Sequence, residues 1–281
     1  MPLPRTVLTT VVLALASVGT ARAGEVVGPR RDVPPVSHAR SGLDAVKRGV
    51  QAPMGMVHTR VLLHINASEG AFGKPVSLAP DLWYAVTDSL QLGILHNGPM
   101  GWLTLPGAGL CLTGTSNGCP KVYDNLGFDA LYGLAFGDFH FSLHSSFYIL
   151  SFRDPTPLMW TVGAAAKFHF GDTVALFLDP QVGFGLNHRD VNKDRLFLPV
   201  ELQFQASRPL TLKLLTGVEG TFSNFGDNHR IPVGLGVIYS FNQIFDLGLR
   251  FAFDNLLGHV PDGVSRTAQR SLSVLLHARF D

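Results

Sequence analysis

From Leu158 to Phe170 the chain alternates with a period of two. Leu158, Trp160, Val162, Ala164, Ala166, Phe168 and Phe170 form one set; Met159, Thr161, Gly163, Ala165, Lys167 and His169 form the other. A β-strand sends successive side chains to opposite faces, so one face of this segment is greasy and the other small and polar. The same rhythm recurs at 57–66, 76–87, 90–96, 127–136, 139–152, 174–187, 196–206, 210–222, 231–241, 245–254 and 272–280. With 158–170 these make twelve expected strands.

Their connections alternate in length without exception. Tight reversals at 87–89, 137–138, 171–173, 207–209 and 242–243 are of hairpin type. Longer links at 67–75, 97–126, 153–157, 188–195, 223–230 and 255–271 separate them. Short turns at one rim and long loops at the other describe an all-β, closed antiparallel transmembrane barrel of about twelve strands. The even strand count puts both termini on the short-turn, periplasmic rim.

Which face meets water follows from charge. Lys, Arg, Asp and Glu make up 15% of the 281 residues, against roughly 25% in ordinary soluble proteins. Mean hydropathy is +0.21, yet no central run of ~20 apolar residues could form a spanning helix. A soluble barrel would need an outer face dense in Lys and Glu, and neither face of these strands has one. In 245–254, Phe245, Leu247, Leu249, Phe251 and Phe253 oppose Asp246, Gly248, Arg250, Ala252 and Asp254. The uniform apolar face is therefore expected against lipid, where a midplane Lys or Arg costs ~2–4 kcal/mol. The mixed face lines a polar lumen.

The N-terminus carries one Arg, an apolar core near 7–18 and the small-x-small site Ala21-Arg22-Ala23, so residues 1–23 read as a cleaved secretory signal. Residues 24–55, rich in Pro, Arg and Gly, read as a flexible periplasmic segment, with a short helix allowed near 41–50. The barrel is expected over 56–281. Cys111 and Cys119 lie beyond the signal, and in an exported chain they are expected to form a disulfide within the longest loop, worth ~2–3 kcal/mol to it.

The expected lumen-lining set is Arg60, Asp81, Asp129, His140, His144, Lys167, His169, Asp179, Glu201, Lys213, Glu219, Asp246, Arg250, Asp254 and Arg279. Such charges set selectivity in an open passage or pair off as filling in a closed one, and a twelve-stranded barrel allows either. His58, His64 and His277 also project inward, scattered rather than grouped for a metal, so neither metal nor cofactor is expected. His144 and Ser146 share a face without a visible third member, and Ser145 faces outward. Net charge is +1 with no basic stripe, which gives no footprint for nucleic acid.

The signal, the strand rhythm and the last strand SLSVLLHARFD together make the chain similar to the Gram-negative outer-membrane β-barrel proteins, over roughly 56–281. Members of that group end in a strand read by the insertion machinery; here Leu272, Val274, Leu276, Ala278 and Phe280 alternate, and Asp281 comes after the aromatic. The resemblance implies an outer-membrane location, contact with lipid and with the insertion machinery, and no particular solute. The expected function is a channel for small solutes or ions without a chemical step. The alternatives are a structural or surface-interaction barrel with a plugged lumen and, third, a lipid-modifying hydrolase.

Overall fold

A chain rich in period-two segments must satisfy its backbone between strands, and in hydrocarbon only a closed sheet leaves no unpaired edge. The computed structural model describes residues 42–103, 107–135, 137–261 and 263–280. The expected signal, residues 24–41 and Asp281 lie outside them. Among the described residues no helix is long and apolar enough to cross a membrane.

The strands are β1 (Val57–Asn66), β2 (Val76–Ala85), β3 (Leu90–Leu95), β4 (Gly109–Cys111), β5 (Tyr123–Asp124), β6 (Leu126–Ala135), β7 (Phe139–Ile149) and β8 (Leu158–Phe170). They continue with β9 (Val174–Leu178), β10 (Gln181–Gly185), β11 (Arg195–Ser207), β12 (Leu210–Thr221), β13 (Val233–Ser240), β14 (Phe245–Phe253) and β15 (Arg270–Phe280). Every pairing is antiparallel, and β1 closes the ring by pairing with both β2 and β15. Its register with β15 runs unbroken from Val57↔Phe280 to Asn66↔Ser271.

Twelve wall positions result among the described residues, because β9 and β10 occupy one position between β8 and β11 while β4 and β5 lie outside the ring. The break falls at Asp179-Pro180, where proline has no N–H for the ladder. That splits the strand expected at 174–187. Strand β3 is six residues long, shorter than the 9–11 a bilayer requires. The long loop makes up the missing height: β4 returns to pair with the upper part of β2 through Ser77↔Cys111 and Leu78↔Leu110, and β5 pairs with β4. Asp124 then accepts from Ser151 Oγ (3.0 Å) and the Phe152 amide (2.6 Å), stitching β5 to the loop after β7. This stitch ends β7 at Ile149 rather than 152.

The apolar face points out. Trp160, Phe184 and Phe251 are 37%, 39% and 38% exposed, with Leu235, Leu247 and Leu249 more so. Near the short-turn rim Phe139 stacks near Phe168 (4.7 Å) and Phe245 meets Phe280 edge-on (6.1 Å), an aromatic girdle of the kind that marks a membrane interface. The outward Trp160 indole donates to Ser145 Oγ at 2.9 Å, so its N–H does not depend on lipid for an acceptor. A closed barrel with this exterior is a membrane-embedded barrel of the outer-membrane type.

The inward face is close-packed. Gly93 lies beneath the Trp83 indole and Gly163 against the Pro180 carbonyl; a Cβ at either would overlap its neighbour.

Candidate functional site

Residues 42–55 belong to the segment expected to be flexible. They sit inside the short-turn mouth of the barrel, with a single 3-10 turn at Ala45–Lys47 and Val46 wholly buried. The lumen offers this segment the partners that water would otherwise supply. The Val46 amide donates to Gln205 Oε1 (3.1 Å) and the Ala52 amide to Gln91 Oε1 (2.9 Å). Lys167 Nζ donates to the carbonyl oxygens of Ala45 (3.3 Å) and Arg48 (2.8 Å). Gln51 Nε2 donates to the carbonyls of Ser89 and Leu131 on the facing wall. Composition alone suggests mobility because a Pro- and Arg-rich segment cannot bury a core of its own; the barrel supplies one.

Arg48 is the strongest tie. Its guanidinium forks onto Asp246 at 2.6 and 3.0 Å, and Arg279 forks onto the same carboxylate from β15 at 2.7 and 3.1 Å. Burial lowers the Arg48 guanidinium from its ordinary value, while the hydrogen bond and charge of Asp246 hold it up. Bidentate Arg–carboxylate pairs add directional specificity to charge.

A second insert enters from the long-loop mouth. After β3 the chain turns into the lumen at His96 and Asn97, which both donate to Asp81: the His96 amide at 2.7 Å and Asn97 Nδ2 at 2.6 Å. Arg60 holds that carboxylate from the wall at 2.6 Å and lies 5.3 Å from the centre of the Trp83 ring. Beyond this point Met100, Trp102 and Leu103 pack on inward-facing Leu95, Tyr148, Met159, Phe197, Leu215 and Ala252. Trp102 is 4% exposed, and its indole donates to the Thr216 carbonyl at 3.1 Å. No alternation exists in 97–103 to reveal this inward course; the available signal is a Trp in a segment the sequence marks only as a link between strands.

The remaining expected lumen residues mostly pair with one another. Lys213 meets Glu201 at 2.7 Å, with Arg250 buried near them; Arg230 pairs with Glu219, and Asp254 accepts from Ser271 Oγ at 2.9 Å. His140 and His169 meet edge-on at 5.3 Å near the inserted segment. His58 stacks on Trp83 at 5.2 Å, beside His277. Among the described residues, no group of three His, Cys, Asp or Glu side chains is placed to hold a metal.

His144 gains the partners its sequence neighbours did not reveal. Asp179 lies 2.8 Å from Nδ1 and Asp129 2.7 Å from Nε2, so each ring nitrogen faces a carboxylate. Ser146 Oγ is 3.3 Å from His144 Nε2 but donates to Asp129 at the shorter 2.6 Å. The serine proton is thus directed at Asp129 and not at His144. The trio is a buried hydrogen-bond junction with Trp83 Nε1 and Gln181 Nε2 as further donors to its carboxylates.

Cys111 and Cys119 form a disulfide across the tip of the long loop. It joins β4 to the segment before β5, outside the lumen and away from both inserts.

Between the second insert and the long-loop rim lies a cavity of about 420 Å³, walled by residues of β1, β8, β11 and β12 and by Arg230, Asp254 and Arg270. Beneath Trp102 a void of about 50 Å³ remains beside Arg60, Glu201, Lys213 and Arg250.

No family model matches this sequence, and no curated protein does. Solved structures do match in fold. A KdgM porin aligns with TM-score 0.53 at 8% identity, covering 80% of this chain and 99% of its own. A NanC porin gives 0.54 at 7% identity, with the same coverage of both chains. An outer membrane channel from Pseudomonas putida F1 gives 0.52 at 12% identity, covering 82% and 97%. The chain thus has the fold of the porin-like outer-membrane β-barrels.

Proposed function

We propose that this chain is an outer-membrane channel for small solutes whose passage is narrowed by the second insert and held shut at the short-turn mouth. The observation that carries this reading is the closure at the short-turn mouth. It is built from residues 42–55, which are no part of the wall and are held chiefly by polar contacts: Arg48 on Asp246, Lys167 on two carbonyls, and Gln91 and Gln205 on two amides. Contacts of that kind exchange for water at modest net cost, on the order of 1 kcal/mol for the neutral ones and about 1.5–3 kcal/mol where a charge takes part. A segment held this way can leave without dismantling the barrel. The neighbours described as porins and channels support the same reading. The long loops face the exterior and the short turns the periplasm in this arrangement. The outward alternation of β15 to Phe280 supports its uptake by the insertion machinery.

A second reading, a structural or surface-interaction barrel with a permanent plug, is favoured by the apolar packing around Trp102. Planar-bilayer recording separates the two. The intact protein should be mostly silent, and a variant lacking residues 42–55 should give discrete conductance steps. A deletion variant that inserts, shows folded barrel signals and stays silent would leave the plugged barrel standing and the channel refuted.

A further inference from the structure

The cavity of about 420 Å³ under the long-loop rim is unlike the rest of the lumen. Elsewhere most inward charges are matched at ion-pair distance, Arg250 Nη1 being a buried exception. Here the negative groups are engaged and positive donors are left over. Glu219 is taken by Arg230, and Asp254 accepts from Ser271 Oγ. By contrast the Nε atoms of Arg195 and Arg270 are buried with no hydrogen-bond partner among the described residues. Among the described residues the Arg270 guanidinium meets a carboxylate at Glu69, at the long distance of 4.0 Å. His64, 1% exposed and lining the same cavity, has both ring nitrogens without partners among the described residues. Buried donors left without acceptors are costly, so a site that keeps several in one place is suited to a ligand that brings the acceptors.

The floor beneath these donors is apolar. Met159 and Phe197 of the wall and Leu103 of the second insert supply it, and all three are nearly inaccessible to solvent. A hydrated inorganic anion would satisfy the arginines but gain nothing from that floor. A neutral hydrocarbon would cover the floor but leave the donors empty. We infer that the cavity binds an amphiphilic organic anion, a carboxylate on an aromatic or aliphatic body, with the carboxylate at Arg195 and Arg270 and the body on Met159, Phe197 and Leu103. This deepens the channel reading by naming the class of solute that enters first, and it rests on that reading for the solute's onward passage.

The test uses the full mature chain in nanodiscs of a neutral lipid, with empty nanodiscs as the partition control. The probes are 2-naphthoate, followed by its fluorescence, its neutral isostere 2-naphthamide, and glucuronate as a carboxylate without an apolar body. Naphthoate should bind about tenfold more tightly than either of the others, one charge-assisted interaction being worth about that factor. Arg195→Gln should remove that preference while leaving naphthamide binding unchanged; Phe197→Leu, which keeps the wall filled, should weaken naphthoate and naphthamide alike. Equal affinity for naphthoate and naphthamide overturns the anion site. So does naphthoate binding that survives Arg195→Gln combined with Arg270→Gln. Glucuronate binding as tightly as naphthoate overturns the amphiphile. Binding is read independently of conductance. A silent deletion variant that still binds naphthoate removes the channel and keeps the site; a conducting one that ignores naphthoate does the reverse.

Discussion

At the short-turn mouth, Asp246 joins the wall arginine Arg279 to Arg48 of the inserted segment. At the long-loop mouth, Asp81 joins the wall arginine Arg60 to His96 and Asn97, where the chain leaves the wall. Each insert is thus pinned by one inward carboxylate shared with one wall arginine. The two inserts differ beyond their pins. Past Asp81 the chain buries Met100, Trp102 and Leu103 in an apolar cluster. Around Asp246 the inserted segment makes amide, carbonyl and ammonium contacts. Apolar burial is lost only by exposing hydrocarbon to water, at ~25 cal/mol per Å², whereas polar contacts are largely replaced by water when broken. The long-loop insert is therefore the harder of the two to remove, as the proposal of a closure at the short-turn mouth requires.

The sharpest way to break this distinction is Trp102→Ala. It should destabilise the barrel by ~3–5 kcal/mol, the usual cost of emptying an indole site, measured by guanidinium unfolding in micelles. An unchanged midpoint would mean that the second insert is as removable as the first.

Asp246→Ala should come next, at about 3 kcal/mol, the low end for breaking a buried pair because the Arg48 side chain is already 16% exposed. Its signature is local: trypsin should cut after Arg48 in the folded variant and spare it in the parent. Resistance to cleavage would show that the short-turn insert does not depend on its pin.

Lys167→Met should cost less, about 1–2 kcal/mol, since it removes the donor to the Ala45 and Arg48 carbonyls. Hydrogen exchange should quicken at the amides of Val46 and Ala52 while the ladder amides of β11 and β12 hold. Faster exchange throughout the barrel would merge the insert with the fold.

The smallest effect on either mouth is expected from Cys111→Ser. Opening the disulfide should loosen the 111–119 tip by ~2–3 kcal/mol of loop entropy and raise its proteolysis. Exchange at both inserts should not change. A change at Trp102 would tie the external hairpin to the internal insert.

The wall was legible in the sequence because its rule is strictly local. A residue's parity within a strand decides whether it meets lipid or lumen, and Trp160 against Lys167 states that in a single segment. The alternation of short and long connections added the topology. The strand ends that moved did so for non-local reasons, as when Asp124 captured the backbone after Ile149 and thereby shortened β7. Pro180 was visible from the start, yet both halves of its strand kept their pairing to β8 and β11, so the break changed the ladder and not the ring.

Period-two geometry and the cost of charge in hydrocarbon are enough to dictate the barrel, the strand number, the outward face and the inward positions of charges such as Asp81, Asp246 and Arg279. All of these can be read from the order of residues. The filling of the lumen belongs to the folded molecule. Which carboxylate meets which arginine depends on the height of each residue along different strands, and residues 42–55 and 97–103 carry no period that announces a course into the interior. Their positions are set by the donors and acceptors that the finished wall presents, and those exist as a surface only once the ring has closed.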